Sequence, residues 1–316
     1  MEENIVLNKT KKQLKKSLLL ANPHARLVHK NLPNALKYLQ ELGLEILYQE
    51  TESPLDVGKF IYKYQDLVDF VIVAGGDGTL NLAIEALVET GLPLGILPLG
   101  TANDLAKTLE IPVNLEAACR AIATGKKHYI DLGWVNGKYF FNVASIGLSV
   151  DITRKLTKEV KHRWGVFAYA ITAVGTLLKS KIFSAEIRFE GVSKRVKTLQ
   201  IAVGNGRHYG GGMTIAHDAS IDDQRLDLYS LEIKHCWQLI ALLPALHLGR
   251  YEKTFGIRTL SGSEMEVFTS KAYPINTDGE VTAYTPALFK VIPKALAVII
   301  PTEKQAAILK LRGASL

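Results

Sequence analysis

From Ser17 to about residue 126, short unbroken apolar runs alternate with longer segments whose apolar positions recur every three or four residues. Runs without a polar interruption predict strands buried on both faces, and the three-to-four spacing predicts amphipathic helices. The strands fall at Ser17–Asn22, Leu44–Gln49, Phe70–Val73 and Leu94–Leu97. Leu32, Leu36, Leu39 and Leu42 mark a helix that Gly43 stops. Ser53-Pro54 begins a second helix as N-cap and first-turn proline, and Thr79–Val88 reads as a third. Alternation of this kind builds one Rossmann-like parallel domain over residues 1–126.

At Lys127 the pattern turns to hairpins. Asn136-Gly137 between two strand-like runs is a strong hairpin signal. Further strands are predicted at Phe140–Ser145, Ser184–Phe189, Thr198–Val203, Leu226–Leu231, Met265–Thr269 and Leu288–Ile292. Helices near Arg163–Lys179 and Cys236–Gly249 interrupt them. Residues 127–293 therefore read as a mostly antiparallel β domain, and an apolar, β-branched run, Leu296–Ile300, follows it.

Composition narrows the partners more than the fold. A chain of 316 residues, 47% hydrophobic and 22% charged, is long enough for two globular domains. No apolar run approaches the ~20 residues of a membrane span. Leu18–Ala21 is too short for the apolar core of a signal peptide. Cys119 and Cys236 lie far apart in apolar surroundings without metal-ligand spacing, as free thiols of a reducing cytoplasm would. The net charge of +7 favours anionic partners. No basic stripe interleaved with aromatics and no nucleic-acid module occurs, so nucleic acid is not expected. An anionic nucleotide together with an anionic membrane surface accounts for the charge, the second helped by a Lys-rich arm within residues 1–16, and solubility alone would also account for it.

The chemistry concentrates where strands end. Phe70–Val73 empties through Gly75-Gly76-Asp77-Gly78 into a helix start at Thr79. Glycines that admit a close ligand, followed by unpaired first-turn amides, make an anion site. Asp77 would repel a bare phosphate, so it suits a metal-bridged phosphate or a hydroxyl losing its proton. A plain βα turn with Asp77 and Thr79 as caps is the alternative. Pro98–Ala106 repeats the device after the next strand, with Asn103 or Asp104 as a candidate cap. Gly204–Met213 holds five glycines, more than a hairpin needs. In Ala219–Leu228, the adjacent Asp222 and Asp223 offer hard oxygens suited to Mg²⁺, or simply an acidic turn. Asp278-Gly279-Glu280 is a turn that can project a carboxylate.

Together these residues carry a resemblance. Gly75-Gly76-Asp77-Gly78-Thr79 resembles the nucleotide-binding signature of the diacylglycerol kinase catalytic-domain family, and Gly100-Thr101-Ala102-Asn103-Asp104-Leu105-Ala106 resembles its second signature. With Asp278-Gly279-Glu280 added in order, the likeness is to the bacterial YegS-like lipid kinases. The resemblance implies an N-terminal three-layer α/β domain like that of NAD kinase and phosphofructokinase, and a C-terminal β-sandwich. It also implies that residues 294–316 return to pack on the first domain. It implies ATP against Asn22, Thr51, Gly75, Gly76, Asp77, Gly78, Thr79, Asn81, Gly100 and Thr101. The catalytic residues it implies are Glu280 as proton acceptor, with Asp77 and Asp104 ordering phosphate, metal and hydroxyl. Mg²⁺ would be held by the Asp223 carboxylate and the carbonyls of Ser220 and Arg225. The implied activity is phosphorylation of a lipid hydroxyl at the inner membrane face, by a cytoplasmic protein that associates peripherally and for which a homodimer is left open. Two positions depart from the pattern: Leu82 stands where the family often has glutamate, so that a contact to ATP is either lost or moved to Glu85, and Gln224 stands where it has glycine. An NAD kinase and a catalytically silent nucleotide- or lipid-binding regulator are the rival readings. Trp164, Phe167, Tyr169, Trp237 and Leu246, with Lys158, Lys161, His162 and Arg163 nearby, compose a candidate apolar patch rimmed by positive charge.

Overall fold

The computed structural model describes residues 15–23, 25–148, 150, 181–209, 213–214, 219–233, 238 and 256–302. The helices expected near Arg163–Lys179 and Cys236–Gly249, and the candidate membrane patch, lie outside them.

The first domain alternates as its pattern predicts: β1 (Lys15–Ala21), α1 (Arg26–Glu41), β2 (Leu44–Glu50), α2 (Pro54–Tyr64), β3 (Phe70–Gly75), α3 (Asp77–Thr90), β4 (Leu94–Pro98), α4 (Asp104–Thr108) and α5 (Leu115–Thr124). Its strands lie parallel in the order β2-β1-β3-β4. Alternate residues feed two cores. Leu18, Leu20, Val71 and Val73 pack against α2 and α3, while Leu19, Ala21, Phe70 and Ile72 pack against α1 and α5. That is a three-layer arrangement. Ser53 and Asp56 form the capping box that starts α2. Helix α1 begins earlier than Leu32 and carries Pro33 inside it. Apolar spacing marks only the buried stripe of a helix, not its exposed first turns.

The β domain contributes β5 (Lys126–Val135), β6 (Lys138–Phe140), β7 (Val143–Gly147), β8 (Phe183–Phe189), β9 (Val192–Thr198), β10 (Gln200–Gly204), β11 (His208–Tyr209), β12 (Met213–Thr214), β13 (Leu226–Leu231), β14 (Ile257–Gly262), β15 (Glu264–Thr269), β16 (Pro274–Thr277), β17 (Glu280–Tyr284) and β18 (Ala287–Ile300). One sheet runs β14-β13-β10-β7-β16-β17. It faces β15, β8 and the first half of β18 across a core of Val135, Phe140, Ile146, Ile201, Val203, Val267 and Phe289. This is the expected antiparallel sandwich.

Strand β18 joins the two domains. The two short runs expected at Leu288–Ile292 and Leu296–Ile300 form one strand with an irregularity between Ile292 and Leu296. Its first half pairs with β15, and Val298 pairs in parallel with Leu94 of β4. The chain's return to the first domain is thus a continuation of its sheet.

Two predicted strands are broken. Phe140–Ser145 divides into β6 and β7 at Phe141 and Asn142, and Thr198–Val203 divides into β9 and β10 at Leu199. The first break has a direct cause, because an aspartate side chain from elsewhere takes the amides of Phe141, Asn142 and Val143.

Candidate active site

The parallel strands end together at one edge, where an open α/β sheet places its ligands. The Thr51 amide donates to the Ala21 carbonyl, so Thr51 closes β2 beside Asn22 at the end of β1. Gly75 pairs with Pro98, which sets the two glycine loops side by side. A Cβ on Gly100 would lie 2.3 Å from the Gly76 Cα, a clash no side chain survives. Position 100 must therefore be glycine for the loops to touch, and a Cβ on Gly76, 3.0 Å from the Gly100 Cα, would press them apart slightly. The Asp77 carboxylate accepts from the Leu105 amide at 3.1 Å and ties the start of α3 to α4.

No side chain caps α3 at Gly76. The Thr79 and Leu80 amides donate to the Gly76 carbonyl, and those of Asp77 and Gly78 stand at the open end of the helix, where an anion could meet them. Asn103 occupies the N-cap position of α4 in the left-handed region, φ 52°, without capping it. Its carboxamide accepts from the Gly100 amide at 2.9 Å and donates to the Pro98 and Gly100 carbonyls. It shapes the loop rather than the helix, which corrects the expectation of a cap at this position. Asp104 is 5% exposed, with the Lys107 ammonium 3.8 Å away. Gly78 and Thr101 are exposed at the loop tips, and Thr79 is partly buried beneath them. Asn81, on the next turn of α3, has a buried Oδ1 without a hydrogen-bond partner.

The β domain answers with the Asp278-Gly279 turn. Asp278 (φ 48°) and Gly279 (φ 102°) are both left-handed, as a two-residue hairpin between β16 and β17 requires. The Asp278 carboxylate accepts three amides: Phe141 at 2.6 Å, and Asn142 and Val143 at 3.0 Å each. Phe141 in turn packs in the same core cluster as Leu80 and Leu105, so the turn is anchored against the first domain. Glu280 follows as the first residue of β17 and is exposed.

Burial pushes the Asp278 carboxyl up to about 6, against the pull of its three amides, and the Asp77 charge adds to the rise. The folded protein therefore keeps this proton up to about pH 6, whereas the unfolded chain releases it near pH 3.8. Stability from this group is full below about pH 3.8 and declines as pH rises towards 6. Melting curves should show the wild type losing stability relative to Asp278→Asn between about pH 4 and about pH 6. A difference that stays flat with pH refutes the coupling.

The Asp222-Asp223 loop lies beside β5. Asp131, 1% exposed, holds it by accepting the Gln224 amide at 2.6 Å, while its other oxygen accepts the Lys294 amide at 2.7 Å. Gln224 adopts φ 60°, a conformation that glycine takes without strain. The backbone thus keeps the glycine-type turn despite the side chain. Asp223 accepts from the Ser220 and Arg225 amides and pairs with the Arg225 guanidinium at 3.2 Å. Burial still raises the Asp223 carboxyl, with the Asp227 charge contributing. Asp131, Asp222, Asp223 and Asp227 stand against the Arg225 guanidinium and His128, which lies 3.1 Å from Asp222. Four carboxylates against two basic groups would suit a hard cation only where their oxygens converge. Among the described residues no three His, Cys, Asp or Glu side chains converge as a metal cluster. A cation here would rest on Asp223 and main-chain carbonyls.

The remaining sequence candidates divide plainly. Leu82 packs against the α2/α3 core, and Glu85 is engaged by the Lys138 ammonium at 2.7 Å. Glu85 thus has an ion-pair partner on the surface of α3. Cys119 is buried and free, its thiol pushed up to about 12 by burial, and Cys236 lies outside the described residues. Asp131 and Asn142 escape sequence reasoning, because isolated Asp and Asn residues in strand-like runs carry no local signature, and Asn205 lies unremarked in the glycine-rich loop Gly204–Met213.

Two glycine loops in contact on a parallel α/β domain, joined to an antiparallel β-sandwich, define a two-domain α/β protein. The diacylglycerol kinase catalytic domain matches residues 16–135. The YegS C-terminal NAD kinase beta sandwich-like domain matches residues 142–300. The chain is 33% identical over 292 residues to a YegS-like protein of Yersinia enterocolitica named as a probable lipid kinase, covering 88% of this chain and 97% of that one. It is 26% identical over 300 residues to the diacylglycerol kinase of Bacillus subtilis, covering 92% and 98%. A crystal structure from Bacillus anthracis superposes with a TM-score of 0.80 at 25% identity, covering 93% and 97% of the two chains. The chain belongs to the diacylglycerol kinase catalytic-domain family, on its YegS-like lipid kinase branch. Among the described residues no helix is long and apolar enough to cross a membrane.

Proposed function

We propose that the protein transfers the γ-phosphate of ATP to a hydroxyl of a lipid headgroup, working on an anionic membrane surface at the cytoplasmic face. The observation that carries this reading is the junction itself. The open start of α3 and the Gly76–Gly100 contact would make a phosphate cradle, and the reading is supported by the Asp278 turn, which is anchored on Phe141–Val143 of the other domain and feels the Asp77 charge. Asn22, Thr51, Gly75–Thr79, Asn81, Gly100 and Thr101 would hold the nucleotide. Mg²⁺, when bound, would neutralise phosphate charge as phosphorus–oxygen bonding shifts.

The chain's own groups then have distinct tasks. First-turn amides of α3 orient the phosphates, and Asp77 and Asp104 order the reacting groups around them. Glu280 takes the proton of the lipid hydroxyl as the new bond forms. Phe141, packed beneath both domains, excludes water from the junction. Incubating the protein with labelled ATP and a lipid panel, with NAD as a further acceptor, tests the reading directly. Label in a lipid product supports it. Label in NADP alone replaces it with an NAD kinase, and no transfer to any acceptor leaves the silent regulator.

A structural Mg²⁺ at Asp223 makes a separate prediction. A ligand that binds only the folded state raises the melting temperature. Chelation should therefore lower the melting temperature of the wild type, and Asp223→Ala should cancel that response. A melting temperature indifferent to chelator in the wild type means Arg225 alone balances the loop.

A further inference from the structure

The edge of the first domain's sheet opposite the glycine loops holds a cavity that phosphate transfer does not use. Its volume is about 470 Å³. That falls within the roughly 300–1,000 Å³ of small-molecule sites. Its walls come from the start of β1, the turn into β3, the end of α5 and the β5/β18 pair. Strand β3 runs from Phe70 in this wall to Gly75 at the candidate active site, so roughly 15–20 Å separate the two. Gly125 lets α5 close against β18, because a Cβ there would lie 2.2 Å from the Ala121 carbonyl oxygen and 2.4 Å from that of Ile300.

Two kinds of surface meet in this cavity. Val68, Phe70, Ile122 and Ile299 give it an apolar lining, each between 3% and 8% exposed. Its charged residues are partly committed. The Lys16 amide donates to Asp69 Oδ2 and the Asp69 amide to the Lys16 carbonyl, both at 2.8 Å, which ties Asp69 to the backbone of β1. The Lys16 ammonium lies 3.5 Å from Glu45. Lys15 and Lys127 also line the cavity, and among the described residues no carboxylate lies within ion-pair distance of either. Asp66 is the remaining carboxylate of the lining. Two ammonium groups against one uncommitted carboxylate leave a single net positive charge beside an apolar surface. A polyphosphate would bring dense negative charge past Asp66 and leave the apolar lining wet. A neutral hydrocarbon would cover that lining and leave both ammonium groups unanswered. A molecule with one carboxylate and a short hydrocarbon tail satisfies both.

We infer that this cavity binds a medium-chain fatty carboxylate, with its tail on Phe70, Ile122 and Ile299 and its head between Lys15 and Lys127. The site lies at the amino ends of the parallel strands, whereas an open α/β sheet places its reaction at their carboxyl ends. It is therefore a second binding site, and it does not depend on which acceptor is phosphorylated.

Calorimetry on the full-length protein tests this with octanoate, hexanoate and octyltrimethylammonium, each below its micellar concentration. Octanoate should bind one-to-one, and hexanoate about tenfold more weakly, the worth of two buried methylenes. The octyltrimethylammonium cation, with the same tail and the opposite charge, should not bind. Lys15→Glu and Lys127→Glu should each weaken octanoate by about tenfold, and Lys127→Gln by less. Lys15 and Lys127 are exposed, so the variants should keep the melting temperature of the wild type. The competing location for octanoate is wherever the acyl chain of a lipid substrate sits. Binding that survives both charge reversals unchanged puts octanoate there and overturns the inference. Absence of octanoate binding to the wild type, or equal binding of the cation, overturns it too. The labelled-ATP assay reads the opposite edge of the sheet, so its failure refutes only the kinase reading and leaves the calorimetry to decide this site.

Discussion

Asp77→Asn is expected to lower kcat for lipid phosphorylation by at least about 10²–10³, the scale of losing one electrostatic contact to the transition state. The fold should survive. The Asp77 Oδ1 accepts from the Leu105 amide at 3.1 Å, and an asparagine oxygen can accept the same bond. What disappears is the negative charge at the start of α3, which suits a metal-bridged phosphate or a hydroxyl losing its proton. Stability should therefore move by no more than about 0.5 kcal/mol, as for an ordinary surface change. The Asp278 carboxyl should also titrate lower, since the Asp77 charge helps to raise it. Kinetics and melting curves on the purified variant decide the matter. Near-normal turnover in a folded Asp77→Asn protein would remove Asp77 from the chemistry and leave it a strut between two loops.

Glu280→Gln should lower kcat by about 10²–10⁴ and leave the KM for ATP nearly unchanged. A lipid hydroxyl has a pKa far above neutral, so a carboxylate beside it can take its proton as bonding to phosphorus develops. Glu280 is exposed at the start of β17, just past the hairpin that Asp278 locks onto Phe141–Val143. An exposed carboxylate on a rigid turn is free to meet a substrate and cheap to alter structurally. Glutamine keeps its size and removes its basicity. Wild-type kinetics would reduce Glu280 to a surface residue. A loss confined to the KM for ATP would move it into the nucleotide site.

Much of this architecture is legible in the chain because it is local. A buried parallel strand needs an unbroken apolar run, and Phe70–Val73 supplies one. A helix stripe needs apolar residues three or four apart, and a loop that admits phosphate needs glycine where Gly76 and Gly100 stand. Those requirements act on neighbours in sequence, so residues 17–126 read almost as they fold. Leu82 and Gln224 were visible too, as departures, though not their consequences. Leu82 joins the core, and Gln224 takes φ 60° under the hold of Asp131.

The tertiary structure decided whatever depends on residues far apart in the chain. Apolar spacing makes Phe140–Ser145 one strand, yet Asp278, more than a hundred residues later, takes its central amides and breaks it in two. Two apolar runs near the end become one strand, because each half finds a partner in a different domain. Asp131 looks like any polar residue in a hairpin until it meets Gln224 and Lys294. Local pattern sets which backbone conformations are affordable. A buried amide or carboxyl must find its partner wherever the fold brings one, and no window of sequence contains that information.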